Sequence, residues 1–228
     1  MGYGDLYVPS ARATARAQAP ASPASPRQPA AVAAPAPLSG EAAARASELA
    51  VLAGAAAGCT RCRLSEGRTQ VVFGTGNPAA ELMFVGEGPG AEEDRQGLPF
   101  VGAAGELLNR IIQAIEKTRD EVYVANVVKC RPPGNRDPQP DEVAACRGYL
   151  DRQIALVRPR VLVALGRVAA QTLLGNDSPI GRMRGQWFRV QGIPTMVTYH
   201  PAALLRNPAL KRPTWEDMQQ VRDFLRSG

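Results

Sequence analysis

Four cysteines, a single histidine, an asparagine inside an apolar run and an acid between two glycines are the residues of this 228-residue chain best suited to chemistry. Cys59 and Cys62 form a C-x2-C pair, and Cys130 and Cys146 follow with fifteen residues between them. Without export, disulfides are not expected. Four thiolates suit tetrahedral zinc, or a [4Fe-4S] cluster whose ligands are spread in sequence. A zinc ribbon would favour a second C-x2-C, which is missing, but spacing alone leaves both metals open. Either would clamp the chain ahead of the sheet to the loop after the second core strand, a structural role.

Asn126 lies in Tyr123-Val124-Ala125-Asn126-Val127-Val128. A carboxamide there is costly to bury unless it finds partners. It is either a satisfied structural group or a donor and acceptor held side by side for a ligand edge, and the N3–H and O4 of uracil fit that pattern. His200 is the only histidine and opens His200-Pro201-Ala202-Ala203-Leu204-Leu205-Arg206. An isolated histidine is commonly structural. Here a proline fixes the next turn, and two leucines stand beside a cation. Such a segment could fill a gap in a base stack while holding a phosphate, as wedge-inserting proteins do; otherwise the leucines are core.

The third segment, GEGPGAEEDRQGLPFVG over residues 86–102, directly follows Leu82-Met83-Phe84-Val85. An apolar run ended by glycine and proline reads as a buried strand running into a turn. In open α/β sheets, ligands bind beyond the carboxyl ends of strands. Gly86, Gly88 and Gly90 expose backbone amides, Glu87 supplies an acid and Phe100 an aromatic face. These are parts for gripping a small, flat, polar molecule.

The elements that must position these groups are legible as patterns. Residues 40–57 read as an Ala-rich helix, 71–73 as a short strand, 81–86 as a core strand and 102–116 as a helix with Leu107, Leu108, Ile111, Ile112 and Ile115 at helical spacing. A β-rich run over 121–128 leads into the proline-rich loop CRPPGNRDPQP, then a helix over 141–157, a third core strand at 160–165 and a helix at 167–174. Strands near 186–191 and 194–199 precede the His200 loop, and a last helix covers 213–226. Strands alternating with helices predict a mostly parallel sheet covered on both faces.

Residues 1–40 differ in kind. They are dominated by Ala, Pro, Ser and Gln, with seven prolines from Pro9 to Pro37. Such a segment cannot bury enough surface to offset its ordering entropy and is expected to be disordered, leaving 41–228 as the folded domain. It could be a tether to a replication protein or only a spacer. No secretory leader and no membrane-length apolar run is seen, so a cytoplasmic protein is expected. Of the net charge of +6, residues 1–58 hold four Arg against three acids, so +5 falls on residues 59–228. A basic folded domain points toward a polyanionic partner.

Taken together, the cysteine set, GEGPGAEEDRQGLPFVGAAGELL, VYVANVVKCRPPGNRDP and HPAALLR resemble the iron–sulfur uracil-DNA glycosylases, the family-4 branch of that superfamily, over about residues 45–228. The resemblance implies an α/β/α sandwich around a four-stranded parallel sheet, and a [4Fe-4S] cluster on Cys59, Cys62, Cys130 and Cys146. It also implies action as a monomer on uracil-containing DNA in repair, hydrolysing the N-glycosidic bond to leave an abasic site. By the same resemblance Phe100 stacks on the flipped uracil and Asn126 reads its polar edge. Backbone around Gly86, Glu87 and Gly88 meets the base carbonyls, His200 donates to O2, and Leu204, Leu205 and Arg206 occupy the vacated stack. Gly88 stands where the better-known branch has a water-positioning aspartate, and Gly90 where it has the tyrosine that blocks thymine. Water positioning then falls to Glu87, Asn126 or DNA phosphates, and Glu87 is the assignment made.

Three other readings compete. A related branch traps uracil on a histidine in a basic insertion after the second core strand, but CRPPGNRDPQP holds no histidine. A metal-clamped DNA-binding module without glycosylase activity would fit the similarity to a phage polymerase segment. A nucleotide-binding hydrolase lacks its Gly-Lys-Ser/Thr phosphate loop.

Overall fold

The structure, a computed structural model, describes residues 40–227. In chain order these form α1 (Gly40–Ala57), α2 (Leu64–Gly67), β1 (Thr75–Gly76), β2 (Leu82–Gly86), α3 (Ala91–Gln96), α4 (Ala103–Ala114), β3 (Tyr123–Asn126), α5 (Pro140–Val157) and β4 (Val161–Leu165). There follow α6 (Arg167–Leu174), α7 (Ile180–Met183), β5 (Trp187–Val190), β6 (Ile193–Thr198), α8 (Pro201–Arg206) and α9 (Lys211–Arg226). The expected tail, residues 1–40, lies outside the described residues apart from Gly40. No described helix is long and apolar enough to cross a membrane.

One sheet runs in the order β1-β3-β2-β4-β6-β5. The inner four strands are parallel, while β1 and β5 pair antiparallel at the two edges. The sheet thus has six strands rather than the expected four, and the four expected are its parallel centre. Strands β2 (LMFVG) and β4 (VLVAL) are buried at every position because helices cover both faces. Alternate side chains feed two separate cores. Met83, Val85, Leu162 and Ala164 pack with Leu49 of α1, Leu150 and Ile154 of α5 and Leu173 of α6. Leu82, Phe84, Val161 and Val163 pack with Leu108 and Ile112 of α4 and Met218 and Val221 of α9. Helix, sheet and helix are therefore stacked as an α/β/α sandwich. Its two cores are tied through every central strand by the period-2 alternation.

Two local expectations fail. Residues 71–73 are not a strand: the Val72 amide makes one bond to the Lys129 carbonyl, at 2.8 Å. Gly74 (φ +145°) and Gly76 (φ +128°) then turn the chain so that pairing with β3 begins only at Thr75. The HPAALLR segment is a helix, not a loop. Pro201 sits in its first turn, and His200 caps it by accepting the Ala202 amide on Nδ1 at 3.1 Å.

Candidate active site

Because β2 and β3 are parallel and in register, Gly86 and Asn126 end side by side at the carboxyl edge of the sheet. Asn126 is 1 % exposed, and its Oδ1 is buried without any hydrogen-bond partner. A Cβ on Gly86 would run into that oxygen and come within 2.6 Å of Phe100 Cζ. Glycine is needed there because the carboxamide and the aromatic ring close directly over the backbone.

Phe100 is itself held in an unusual state. Its φ of +55° is left-handed, a conformation that costs a bulky residue of order 1–3 kcal/mol. Contacts on both sides maintain it. Glu93 Oε1 accepts the amides of Val101 (2.9 Å) and Gly102 (3.0 Å), while its Oε2 accepts that of Gly90 (3.1 Å). Arg119 donates to the Pro99 carbonyl (2.6 Å) and to Asn109 Oδ1 on α4 (3.2 Å). Gly105 completes the seat, since any side chain there would overlap the Phe100 carbonyl. Neither Glu93 nor Arg119 carries a motif-level signal beyond lying in the glycine-rich run or near the next strand.

The His200 ring lies 5.5 Å from that of Phe100, tilted by 31°. Burial, reinforced by the Arg206 charge, pushes its pKa down to about 4, against a smaller opposing pull from Glu93. At neutral pH it is therefore uncharged, and because Nδ1 accepts the Ala202 amide, its proton sits on Nε2. The ring is a fixed neutral donor.

Glu87 lines the same cleft, of about 370 Å³, with Gly88, Phe100, Asp137, His200 and Arg206. Burial raises its pKa to about 7, with the Asp137 charge adding and that of Arg167 subtracting. Asp137 and Arg167 are ion-paired, tying the proline-rich loop to the start of α6 beside the cleft. Asn126 and Gly86 do not line the open cleft; Gly86 packs against the ring of Phe100, which does. The HPAALLR residues divide. Leu204 is 2 % exposed and packs between α4 and α9, which removes it from the expected DNA-facing set, whereas Leu205 is 44 % exposed. Consecutive helical residues point about 100° apart, so one leucine faces in and the next faces out.

On the α1–α5 side, Cys59, Cys62, Cys130 and Cys146 line one cavity together with Arg61, Arg68 and Lys129. None is in a disulfide. Among the described residues no three His, Cys, Asp or Glu side chains stand where they could hold a metal ion. Arg68 donates to Cys130 Sγ at 3.3 Å and to the Cys59 carbonyl at 2.6 Å. Burial raises the pKa of both Cys130 and Cys146, so the thiols resist ionising unless something positive, a cation or metal, is bound. The four sulfurs face one small cavity, with Arg61, Arg68 and Lys129 at its wall.

The uracil-DNA glycosylase superfamily profile matches residues 73–219, a span that contains Gly86, Glu87, Phe100, Asn126 and His200. The chain belongs to that superfamily. Within it, the chain is 47 % identical to a type-4 uracil-DNA glycosylase of Sulfurisphaera tokodaii, over 73 % of this chain and 80 % of that one. It is 44 % identical to the type-4 uracil-DNA glycosylase of Thermotoga maritima, over 74 % of this chain and 90 % of that one. A DNA polymerase of Bacillus phage SP01 is 28 % identical over 68 % of this chain but only 16 % of its own length. The glycosylase relatives are both more similar and far more fully covered, so the polymerase-associated alternative is not favoured.

Proposed function

We propose that this chain excises uracil from DNA, and the observation that carries the reading is the buried, unpaired Oδ1 of Asn126. A native core rarely keeps an acceptor without a partner. One standing against Gly86 and near Phe100 asks for a flat ligand that carries an N–H on its edge, as uracil does at N3. Uracil reaches it by flipping out of the helix, at a cost of roughly a few kcal/mol.

In this reading Phe100 stacks on the flipped base while the Asn126 carboxamide takes N3–H on Oδ1 and donates to O4. The C1′–N1 bond breaks with its electron pair moving onto the base, so negative charge builds at O2. His200 Nε2–H donates to O2 without transferring its proton, since a ring whose pKa lies near 4 already holds its one proton where it is needed. One such donor is worth about 3–4 kcal/mol by analogy with oxyanion holes. Glu87, ionised above about pH 7, orients water toward C1′ and accepts its proton. Leu205 and Arg206 face the vacated stack.

The cysteine cavity suits a [4Fe-4S] cluster on Cys59, Cys62, Cys130 and Cys146, pinning the end of α1 to β3 and α5. Such a cluster supplies cross-linking and local charge rather than chemistry at the base. The protein acts as a cytoplasmic monomer on DNA, with 41–228 as the catalytic domain and the segment before it either a tether toward a replication protein or a spacer. The test is incubation with a uracil-bearing oligonucleotide followed by alkali. Strand scission at the uracil supports the reading, and intact, bound DNA overturns it.

A further inference from the structure

Between the base-reading asparagine and the cysteine cavity lies a residue that neither site accounts for. Lys129 is among the largest fully buried side chains of the protein, 2 % exposed. Its Nζ donates to the backbone carbonyl of Asn126 at 2.7 Å and to Gln153 Oε1 at 2.5 Å. Gln153 is anchored in turn, donating to the Phe73 carbonyl at 2.8 Å and to the Tyr123 hydroxyl at 3.3 Å. The Phe73 ring lies 5.8 Å from the ammonium. Among the described residues, no carboxylate forms an ion pair with Lys129.

A buried ammonium is kept only where it is paired or compensated. Carbonyl and carboxamide oxygens solvate it but do not neutralise it, whereas the same side chain lines the four-cysteine cavity. The four-cysteine cavity is thus the place beside this ammonium where a counter-charge can be held. The backbone distance is also short: Asn126 and Cys130 are separated only by Val127, Val128 and Lys129.

We propose that Lys129 couples the two sites: its ammonium is the counter-charge of an anionic metal–sulfur group in the cysteine cavity and, at the same time, the strut that fixes the Asn126 backbone for base reading. This rests on the cluster and uracil readings above. Lys129 is a positioning residue that touches neither the base nor C1′. Coupling of this kind is reciprocal, so a change of charge at the cavity is felt at the base edge, and a base held by Asn126 is felt at the cavity.

The experiment uses the full chain as purified. Lys129→Met removes the charge at nearly constant volume. Gln153→Glu leaves the ammonium in place but offers it a competing carboxylate. Three quantities are read in each protein: iron and sulfide content, the midpoint potential of the visible chromophore, and the affinity for DNA bearing 2′-fluoro-deoxyuridine relative to the same DNA with thymine. The proposal expects both variants to keep iron and sulfide, to shift the midpoint to more negative values, and to lose at least tenfold in preference for the uracil analogue. An unchanged midpoint, or a shifted midpoint with full uracil preference, overturns it. Should Lys129→Met fail to fold, Gln153→Glu carries the same two outcomes. Wild-type protein without iron and sulfide refutes the cluster reading itself and the coupling with it, whereas wild type that carries the cluster beside silent variants refutes the coupling alone.

Discussion

Two carboxylates, one fully buried and one half-buried, show how differently this fold treats polar groups. Glu142, at the start of α5, is fully buried, yet Arg136 grips both its oxygens at 2.7 and 2.8 Å. Arg63 lies at 3.2 Å, and the Gln139 amide donates at 2.7 Å. These partners hold its pKa down to about 2. Glu87, at the end of β2, has no comparable partner, and burial drives its pKa up to about 7. Amides divide in the same way: Gln153 bonds through both ends, whereas the Asn126 oxygen bonds to nothing. Saturated polar groups hold the proline-rich loop and the sheet together, whereas Glu87 and the Asn126 oxygen stand unsaturated at the carboxyl edge of the parallel strands. A buried polar group left unpaired costs about 1–3 kcal/mol. Such a group persists where a substrate, rather than the protein, completes it.

The contrast is sharpest at Asn126. Asn126→Ala is expected to lower single-turnover uracil excision by about 10²–10³-fold, the scale of one lost oxyanion-type contact, while thermal stability holds or rises because the orphaned oxygen is gone. A variant that unfolds instead would place Asn126 with the saturated groups. Next in size is Glu87→Gln, expected to cost about 10²-fold within the range for general base catalysis and to abolish an acid limb near pH 7 in the rate profile. Its stability should move the other way. A folded-state pKa raised above 4.5 means that ionisation costs folding free energy as pH climbs from about 4.5 to 7, with the full cost present above 7. Glu87→Gln should therefore melt higher than wild type at pH 8 and match it at pH 4, as read by calorimetry.

Glu142→Gln should show the mirror image. Its lowered pKa stabilises the fold above about pH 4.5, and that stabilisation fades as pH falls toward 2. The variant should melt below wild type at pH 7, converge with it near pH 2, and excise uracil at close to the wild-type rate. A large kinetic defect in a well-folded Glu142→Gln would erase the distinction between the two carboxylates. The smallest effect tests the seat of Phe100. Arg119→Ala should slow excision about tenfold in the wild-type background and add little to Phe100→Ala, because residues acting as one unit are not additive. Fully additive losses would mean that Arg119 acts elsewhere.

Much of this was legible from residue patterns because it depends on local periodicity. The runs LMFV and VLVAL announce strands buried on both faces, and the leucine and isoleucine spacing of 107–115 announces α4. Gly86, Phe100, Asn126 and His200 converge because each sits near the carboxyl end of a parallel strand, or on the loop that leaves it, and α/β topology gathers those ends. The edge strand β1 was not legible, since its pairing is set by glycines at positive φ rather than by apolar alternation. Nor was α3, whose AEEDRQ has no apolar stripe and is secured by Glu93 reaching back to Gly90. The inward turn of Leu204 and outward turn of Leu205 depend on α8 being a helix. Arg119 and Lys129 each act through one tertiary bond to a backbone carbonyl and one to a side-chain amide oxygen. The only hint of the latter was a lysine closing an apolar run directly before Cys130.

The central claim is that the unpaired oxygen of Asn126 is completed by uracil N3–H. The most direct measurement is the proton resonance of ¹⁵N3-labelled uracil in 2′-fluoro-deoxyuridine DNA bound to wild type and to Asn126→Ala. The account predicts a downfield shift of that N3–H on binding wild type and none on binding the variant. An equal shift in both proteins, or none in either, would contradict it.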